Sequence, residues 1–93
     1  MTVLRAMQLT TLTPAIRAER GVRSQAGALI YRISDEASAA TGLQAGDVIV
    51  AINNVRVRDA EQVAELLDAM RRRQAFRLYF ERGRQILFTD LAF

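Results

Sequence analysis

The sequence contains neither cysteine nor histidine, and each absence removes a class of chemistry. Without cysteine the chain forms no disulfide of its own and offers no thiolate to a metal ion. Without histidine it lacks the usual general base near neutral pH, the commonest protein metal ligand and any Ser-His-Asp arrangement. We therefore expect no cofactor, no metal site and no catalytic activity from this chain.

Lysine is also absent, so every basic residue is arginine, and the formal net charge is +3. We attribute the all-arginine balance to coding bias and expect no nucleic-acid partner. No apolar run approaches the roughly 20 residues that span a bilayer, and residues 1–8 do not resemble a signal peptide. Any export signal or membrane anchor of a parent protein would lie outside this chain.

Length and composition indicate one globular domain over residues 1–93. Apolar residues make up 51% of the chain and charged residues 25%, which is typical of a folded domain with a single core. Alternating apolar and polar residues predict strands, and apolar residues at helical spacing predict helices. The predicted strands are residues 4–12, 28–33, 47–53 and 55–57 and a hairpin over 76–88; the predicted helices are 15–20, 37–41 and 59–73.

Sequence signals mark both ends of the two short helices. Thr13 before Pro14 is typical of an N-cap followed by proline at the first helical position, and Gly21 predicts a left-handed stop. Ser34 precedes two carboxylates, which favour the positive end of a helix, and Gly42 would close that helix.

The longest predicted helix has its own signals. Asp59 opens it, and Gln62 three residues later completes a capping box. Apolar residues at helical spacing give the helix one apolar face. That face consists of Val63, Leu66, Leu67 and Met70.

The chain ends in a predicted hairpin in which Arg82-Gly83 forms the turn. On its first strand Phe76, Leu78 and Phe80 alternate with Arg77, Tyr79 and Glu81, and Ile86 and Phe88 lie on the returning strand. Together the elements predict an α+β fold. It is a partly open antiparallel β-barrel or sandwich of five to six strands, capped by one long and two short helices.

One segment resembles the signature of bacterial PDZ domains, which is roughly G-L-x-x-G-D-x-I, then I-N-G, then valine and a helix. Residues 42–49 read Gly-Leu-Gln-Ala-Gly-Asp-Val-Ile, followed by Ile52-Asn53-Asn54 and Val57. Glycines turn the chain where a Cβ would clash, and the isoleucines would fill the barrel. Asn54 stands where the family usually has glycine, a substitution that a left-handed turn accepts.

The N-terminal part is similar to a narrower group. Residues 9–21 contain Leu12-Thr13-Pro14 and a short charged helix ending in Arg20-Gly21. They resemble the start of PDZ domains in HtrA/Deg-type trypsin-like serine proteases, and the second PDZ domain of those proteases fits best. The PDZ domain of the type II secretion inner-membrane C component is also similar from Gly42 through Gln62.

The resemblance implies a peptide-binding module that takes hydrophobic C-terminal peptides by β-strand addition. In the circularly permuted bacterial form, the carboxylate loop and edge strand lie at the N-terminus, and the groove-side residues of the long helix face them. The matching residues here are Leu4, Arg5, Ala6, Met7, Gln8 and Leu9 on the strand side, and Ala60, Ala64, Leu67 and Arg71 on the helix side.

Two of these residues depart from the family pattern. Ala6 replaces the family's glycine, and a Cβ at a positive φ costs roughly 1–2 kcal/mol. Arg5 replaces an apolar residue, so it either pairs with a ligand carboxylate or is solvated; most arginine side chains are exposed. Met7 and Leu67 have a second interpretation as ordinary core side chains, and for Leu67 both interpretations can hold together.

The resemblance also leaves two functions open. The first is the substrate-recognition or regulatory PDZ domain of an HtrA-like serine protease whose catalytic domain is absent from this chain, which would place the protein in the periplasm or cell envelope. The second is a scaffold or assembly domain, like that of the secretion component, whose parent is membrane-anchored and which docks a partner without a free C-terminus.

Two further segments could bind a partner. The densest basic region could attract phosphate or anionic lipid, but we interpret it as a solvated helix end. It comprises Arg71, Arg72, Arg73, Arg77, Arg82 and Arg84. The apolar residues Leu91, Ala92 and Phe93 could enter the groove of another molecule and so promote self-association, although we favour their role as the simple end of the last strand. We predict that Asp47 is a turn residue that hydrogen-bonds to the backbone, and not a catalytic residue.

Overall fold

The computed structural model describes residues 7–69 and 75–92. The strands are β1 (Met7–Thr11), β2 (Ala28–Ile33), β3 (Val48–Ile52), β4 (Val55–Arg56), β5 (Ala75–Arg82) and β6 (Gln85–Ala92). The helices are α1 (Pro14–Arg20), α2 (Asp35–Thr41) and α3 (Ala60–Ala69). None of these helices is long and apolar enough to cross a membrane.

All six strands belong to one antiparallel sheet with the order β1-β2-β3-β5-β6, and β4 pairs with β3 beside this path. The predicted α+β class is confirmed: over the described residues the fold is an open sheet of six antiparallel strands with three helices. Within the described ranges, β1, β4 and β6 each pair with one other strand only. In this part of the chain the ends of the sheet are therefore the open edges of β1 and β6, and the two-residue strand β4 adds a short third edge.

Two extra residues interrupt the strand pairing. Gln8 lies opposite Arg32 and Leu9 opposite Ile30, so Tyr31 of β2 has no partner on β1. A comparable shift occurs where β3 pairs with β5, between Ile49 and Ala51. Extra residues of this kind bend a strand and increase its right-handed twist.

The caps of the short helices lie where the sequence predicted them. The side chain of Thr13 accepts a hydrogen bond from a backbone N–H in the first turn of α1, and Ser34 does the same for α2. Gly21 and Gly42 end these helices with φ angles of 66° and 79°. Because each signal acts within four residues, no long-range contact is needed to define these helix ends.

Helix α3 begins as predicted, with a small difference in its cap. Asp59 Oδ1 accepts a hydrogen bond from the Gln62 N–H at 2.7 Å. The Gln62 side chain, however, accepts the N–H of Arg58 at 2.6 Å rather than that of Asp59. The predicted continuation of the helix to residue 73 lies outside the described residues.

The hairpin turn lies one residue later than predicted. Gly83 and Arg84 form it, with φ angles of 58° and 66°, as in the type I′ turns that match strand twist. Arg82 pairs with Gln85 as the last residue of β5. The prediction of Arg82-Gly83 was wrong because the Arg82 side chain has partners elsewhere in the fold that hold it within the strand.

The sheet has an apolar cluster on each face. The main core lies between the face we call inner and helix α3. Its buried members are Met7, Ala28, Ile30, Leu43, Ile49, Ile52, Val57, Val63, Leu67, Phe76, Leu78 and Phe80. On the opposite, outer face, Leu12, Leu29 and Val48 form a smaller cluster packed against Ile16 of α1. The outer face is therefore only partly covered by the chain.

The burial of the hairpin differs from simple alternation. Glu81, which the sequence groups with the polar positions of β5, is only 4% exposed. Ile86 and Phe88 of β6 are 55% and 54% exposed and lie on the outer face. The pattern of alternation cannot indicate which of the two faces another element will cover.

Candidate functional site

The candidate site lies at the free edge of β1, where helix α3 packs against this strand. The backbone N–H of Ala60, at the start of α3, donates a hydrogen bond to the Thr11 hydroxyl at 3.1 Å. This contact fixes the beginning of the helix against the end of the strand. Thr11 was not predicted from the sequence, because its partner is 49 residues away and no local signal marks the pair.

The predicted helix-side residues lie along one stripe of α3. Ala60 and Ala64 are partly buried, and Leu67 is buried. Ala60 packs against the main core, and Leu67 belongs to it. Two alanines followed by leucine at spacings of four and three residues place small side chains on this stripe. Arg71, the fourth predicted residue, lies outside the described residues.

The predicted strand-side residues show the alternation of an edge strand. Met7 is buried in the main core, Leu9 packs against that core, and Gln8 is exposed. The core interpretation of Met7 and Leu67 therefore holds in this structure, where both belong to one cluster. The other predicted residues, Leu4, Arg5 and Ala6, lie outside the described residues.

The Gly-Asp segment of the PDZ-like signature forms a buried polar connection. The Asp47 carboxylate accepts the N–H of Gln44 at 2.8 Å and two N–H groups of Arg82, at 2.9 Å and 2.7 Å. Arg82 also donates to the carbonyl of Gly42 at 2.8 Å. Hydrogen bonding to Asp47 raises the pKa of Arg82. Asp47 thus holds the turn before β3 to the end of β5, in agreement with the structural role that the sequence suggested.

A second buried carboxylate organises the loop between α1 and β2. The two oxygens of Glu81 accept backbone N–H groups from Arg23 and Ser24, each at 2.8 Å, and the Ser24 hydroxyl. Burial raises the pKa of Glu81, but the hydrogen bonds from Ser24 and Arg23 outweigh it and hold that pKa below its ordinary value. No buried side-chain nitrogen or oxygen in the described ranges lacks a partner.

Two arginines of the predicted basic region form internal ion pairs. Arg82 is bound to Asp47, and Arg77 contacts Asp90 at 2.8 Å. Arg77 lowers the pKa of Asp90, and Asp90 in turn raises that of Arg77. Arg71, Arg72 and Arg73 lie outside the described residues. Of the three arginines of this region that the structure describes, two are therefore paired with carboxylates, and Arg84 is exposed without an ion pair.

The described residues contain no group of three or more acidic side chains that could hold a metal ion. The chemistry available at the candidate site is that of a strand edge beside a helix: backbone N–H and C=O groups, small side chains and an apolar floor. Such a site can bind an extended polypeptide.

Comparison with known proteins gives one family and a set of similar folds. A sequence model of the PDZ domain family matches residues 26–79. No curated protein sequence shows detectable similarity to the chain. Solved structures do: the PDZ domain of HtrA3 bound to a phage-derived ligand (FGRWV) is 23% identical, with a TM-score of 0.79, over 94% of this chain and 80% of that one.

The HtrA-type protease AlgW has a similar fold. Its complex with a decapeptide is 22% identical to this chain, with a TM-score of 0.80. Its complex with a tripeptide is also 22% identical, with a TM-score of 0.76. Both matches cover 94% of this chain, which spans only 27% and 29% of the two AlgW chains.

Proposed function

The chain belongs to the PDZ domain family, whose members are non-catalytic binding modules, and we propose that it binds hydrophobic C-terminal peptides by strand addition at β1. The single observation that supports this proposal is the free edge of β1 with α3 packed against the same strand. An extended ligand would pair with that edge and place its side chains against the helix.

The described residues provide suitable surroundings for such a ligand. Ala60 and Ala64 have no side chain beyond Cβ, so they leave room beside the strand for a ligand side chain. Leu9 is partly buried and adds apolar surface, whereas Leu67 belongs to the buried core next to it. The strand supplies main-chain hydrogen bonds whatever the ligand sequence, and the helix stripe favours apolar ligand residues. Leu4, Arg5, Ala6 and Arg71 complete the proposed site, with the ligand carboxylate at residues 4–6.

The similar structures support this choice of ligand. The HtrA3 PDZ domain binds a ligand, FGRWV, that ends in two apolar residues, and AlgW was solved with a tripeptide and with a decapeptide. We further propose that this domain performs substrate recognition or regulation for an HtrA-like serine protease of the periplasm or cell envelope, whose catalytic domain would be a separate part of the protein.

Amide NMR spectra of the labelled chain, recorded during titration with a short peptide ending in a free apolar carboxylate, test the proposal. The same peptide with an amidated C-terminus is the control. We expect saturable shifts in β1 and α3 that the amidated peptide does not produce. Absence of shifts at millimolar peptide would contradict the proposal and favour the scaffold function, in which a folded partner docks without a free C-terminus.

A matched pair of variants tests the position of the site. Ala64→Phe places a large side chain on the stripe of α3 beside β1, whereas Ala69→Phe makes the same change at an exposed position of the same helix. We expect Ala64→Phe to weaken peptide binding at least tenfold and Ala69→Phe to leave it within twofold. Equal effects of the two variants would place the peptide elsewhere.

A further inference from the structure

A second concave surface lies on the outer face of the sheet, away from the edge of β1. It is a cleft of about 680 Å³, which we call the outer-face cleft; a volume of this size is typical of sites that hold a ligand. It is lined by Ser24, Gln25, Ala26, Val50, Ala51, Asn53, Asn54, Arg56, Val57, Arg58, Tyr79 and Ile86. The proposed peptide site on β1 and α3 contributes none of these residues.

The floor of the outer-face cleft is apolar. Val50 packs against the smaller apolar cluster under α1, and Ala51 lies opposite Tyr79 across the pairing of β3 with β5. Ile86 lies at one side, more than half exposed. Helix α1 therefore covers one part of the outer face, and the adjoining part is left open at these residues. Removal of this apolar surface from water lowers the free energy, so a ligand that covers it is stabilised.

The apolar surface continues along the hairpin beyond the cleft. The rings of Tyr79 and Phe88 lie 6.1 Å apart, and the guanidinium of Arg77 lies 4.2 Å from the centre of the Phe88 ring. Phe88 itself is half exposed. The apolar surface thus extends from the cleft along β6 to Phe88, an arrangement that favours an extended polypeptide segment over a compact ligand.

The polar wall of the outer-face cleft carries uncompensated positive charge. Arg56 of β4 lies opposite Ala51 of β3. Arg58 lies two residues after Arg56 in the sequence, and both arginines are exposed. No acidic residue lines the cleft. All ten acidic residues fall within the described ranges, yet the ion pairs there involve only Arg77 and Arg82. Two unpaired guanidinium groups beside an apolar floor select carboxylates that are attached to apolar groups.

We infer that the outer-face cleft binds a polypeptide segment in which a large apolar side chain stands beside aspartate or glutamate. The apolar side chain lies on Val50, Tyr79 and Ile86, and the carboxylate pairs with Arg56 or Arg58. This ligand needs no free C-terminus, so the cleft and the edge of β1 would recognise different features of a polypeptide.

The test uses an acetylated and amidated peptide of alternating aspartate and leucine, so that no terminal carboxylate is present. We expect amide shifts at residues 24–26, 50–58, 79 and 86, with an affinity that falls when salt is raised from 50 to 300 mM. The control peptide carries asparagine in place of aspartate, and we expect it to bind at least tenfold more weakly.

Two double variants that remove the same charge make the test specific. Arg56→Gln with Arg58→Gln removes the wall of the cleft, and we expect it to weaken binding at least tenfold. Arg20→Gln with Arg32→Gln removes two other exposed arginines, and we expect less than a twofold effect. Retained spectra of both variants would show that each remains folded.

Four results would overturn the inference. They are shifts confined to β1 and α3, equal weakening by the two double variants, equal binding of the asparagine peptide, and no shifts at millimolar peptide. Dimerisation of the chain alone, measured by light scattering and abolished by Ile86→Glu, would identify a second copy as the occupant of this face and overturn it as well.

Discussion

The Arg82 guanidinium binds the Asp47 carboxylate through two parallel hydrogen bonds, from Nε to Oδ1 at 2.9 Å and from Nη2 to Oδ2 at 2.7 Å. The Asp47 side chain is 2% exposed and that of Arg82 is 35% exposed. A bidentate pair of this kind fixes orientation as well as distance. It joins the turn before β3 to the end of β5, two parts of the chain that are 35 residues apart.

Removal of Arg82 should leave Asp47 as a buried charge without its counter-ion. Breaking a buried pair costs about 3–5 kcal/mol, and since water reaches the Arg82 side we expect Arg82→Ala to lower the free energy of unfolding by about 2–3 kcal/mol. Urea denaturation measures this change. Arg32→Ala, at an exposed arginine of β2, is the control and should change stability by less than about 0.5 kcal/mol.

A double-mutant cycle checks that the effect of Arg82 passes through Asp47. The combined Asp47→Ala and Arg82→Ala variant should lose clearly less free energy than the sum of the two single changes. Additive losses would show that the two side chains stabilise the fold independently.

Glu81 should make stability depend on pH in the acidic range. Its pKa in the folded chain is lower than its ordinary value of 4.5, so the folded state favours the charged form. The stabilisation is therefore fully present above about pH 4.5 and is lost as the pH falls through the folded-state pKa. At pH 7 we expect Glu81→Gln to cost about 2–3 kcal/mol, because an amide NH2 then faces backbone N–H donors.

The difference in free energy of unfolding between the wild type and Glu81→Gln should accordingly become smaller as the pH falls from 6 to 3. Chemical denaturation at a series of pH values measures this difference. Glu65→Gln, which changes an exposed glutamate of α3, is the control. A constant difference for Glu81→Gln across the series would mean that its charge does not contribute to stability.

Gly27 should tolerate substitution less well than Gly21. Its φ is 149°, and a Cβ would lie 2.6 Å from the Ile49 carbonyl oxygen and 2.9 Å from Val48 Cγ1. We expect Gly27→Ala to destabilise the fold by at least about 3 kcal/mol, because strand backbone would have to move. Gly21→Ala, whose Cβ would meet nothing within 4 Å, should cost only about 1–2 kcal/mol. Thermal or urea unfolding would rank the two, and the reverse order would contradict this account.

Arg84 occupies a backbone conformation that glycine adopts more easily. Its φ is 66° in the hairpin turn, and Arg84→Gly should raise the free energy of unfolding by about 0.5–1 kcal/mol after the entropy of glycine in the unfolded chain is counted. Arg84→Val should have the opposite effect, since a β-branched residue is a poor fit at positive φ. Destabilisation by Arg84→Gly, measured by urea denaturation, would mean that the arginine side chain contributes more than its backbone strain costs.

Local signals predicted much of the fold. Thr13, Gly21, Ser34 and Gly42 mark helix ends through contacts within a few residues, so the sequence alone located them. The burial of Glu81 depends on partners 57 and 58 residues away, and alternation along β5 could not reveal them. Long-range pairing of this kind needs the assembled sheet.

The candidate site was predictable to a similar extent. The resemblance indicated Ala60, Ala64 and Leu67, and the structure places them on one stripe of α3. That β1 is an edge strand follows from the order of all six strands, which no local pattern specifies. The outer-face cleft was not predicted, because it depends on the part of the sheet that α1 leaves uncovered.

The unpaired Tyr31 of β2 has a consequence for how the protein behaves at high concentration. An open edge strand is a template on which identical chains can stack into extended sheets and aggregate. The pairing of β1 with β2 contains an extra residue. Bulges of this kind increase the local twist of a sheet, and a strongly twisted edge pairs poorly with a long flat sheet. A short strand of a few residues can still follow the twist, so we expect the bulge to disfavour edge-to-edge stacking of chains without excluding a short paired segment.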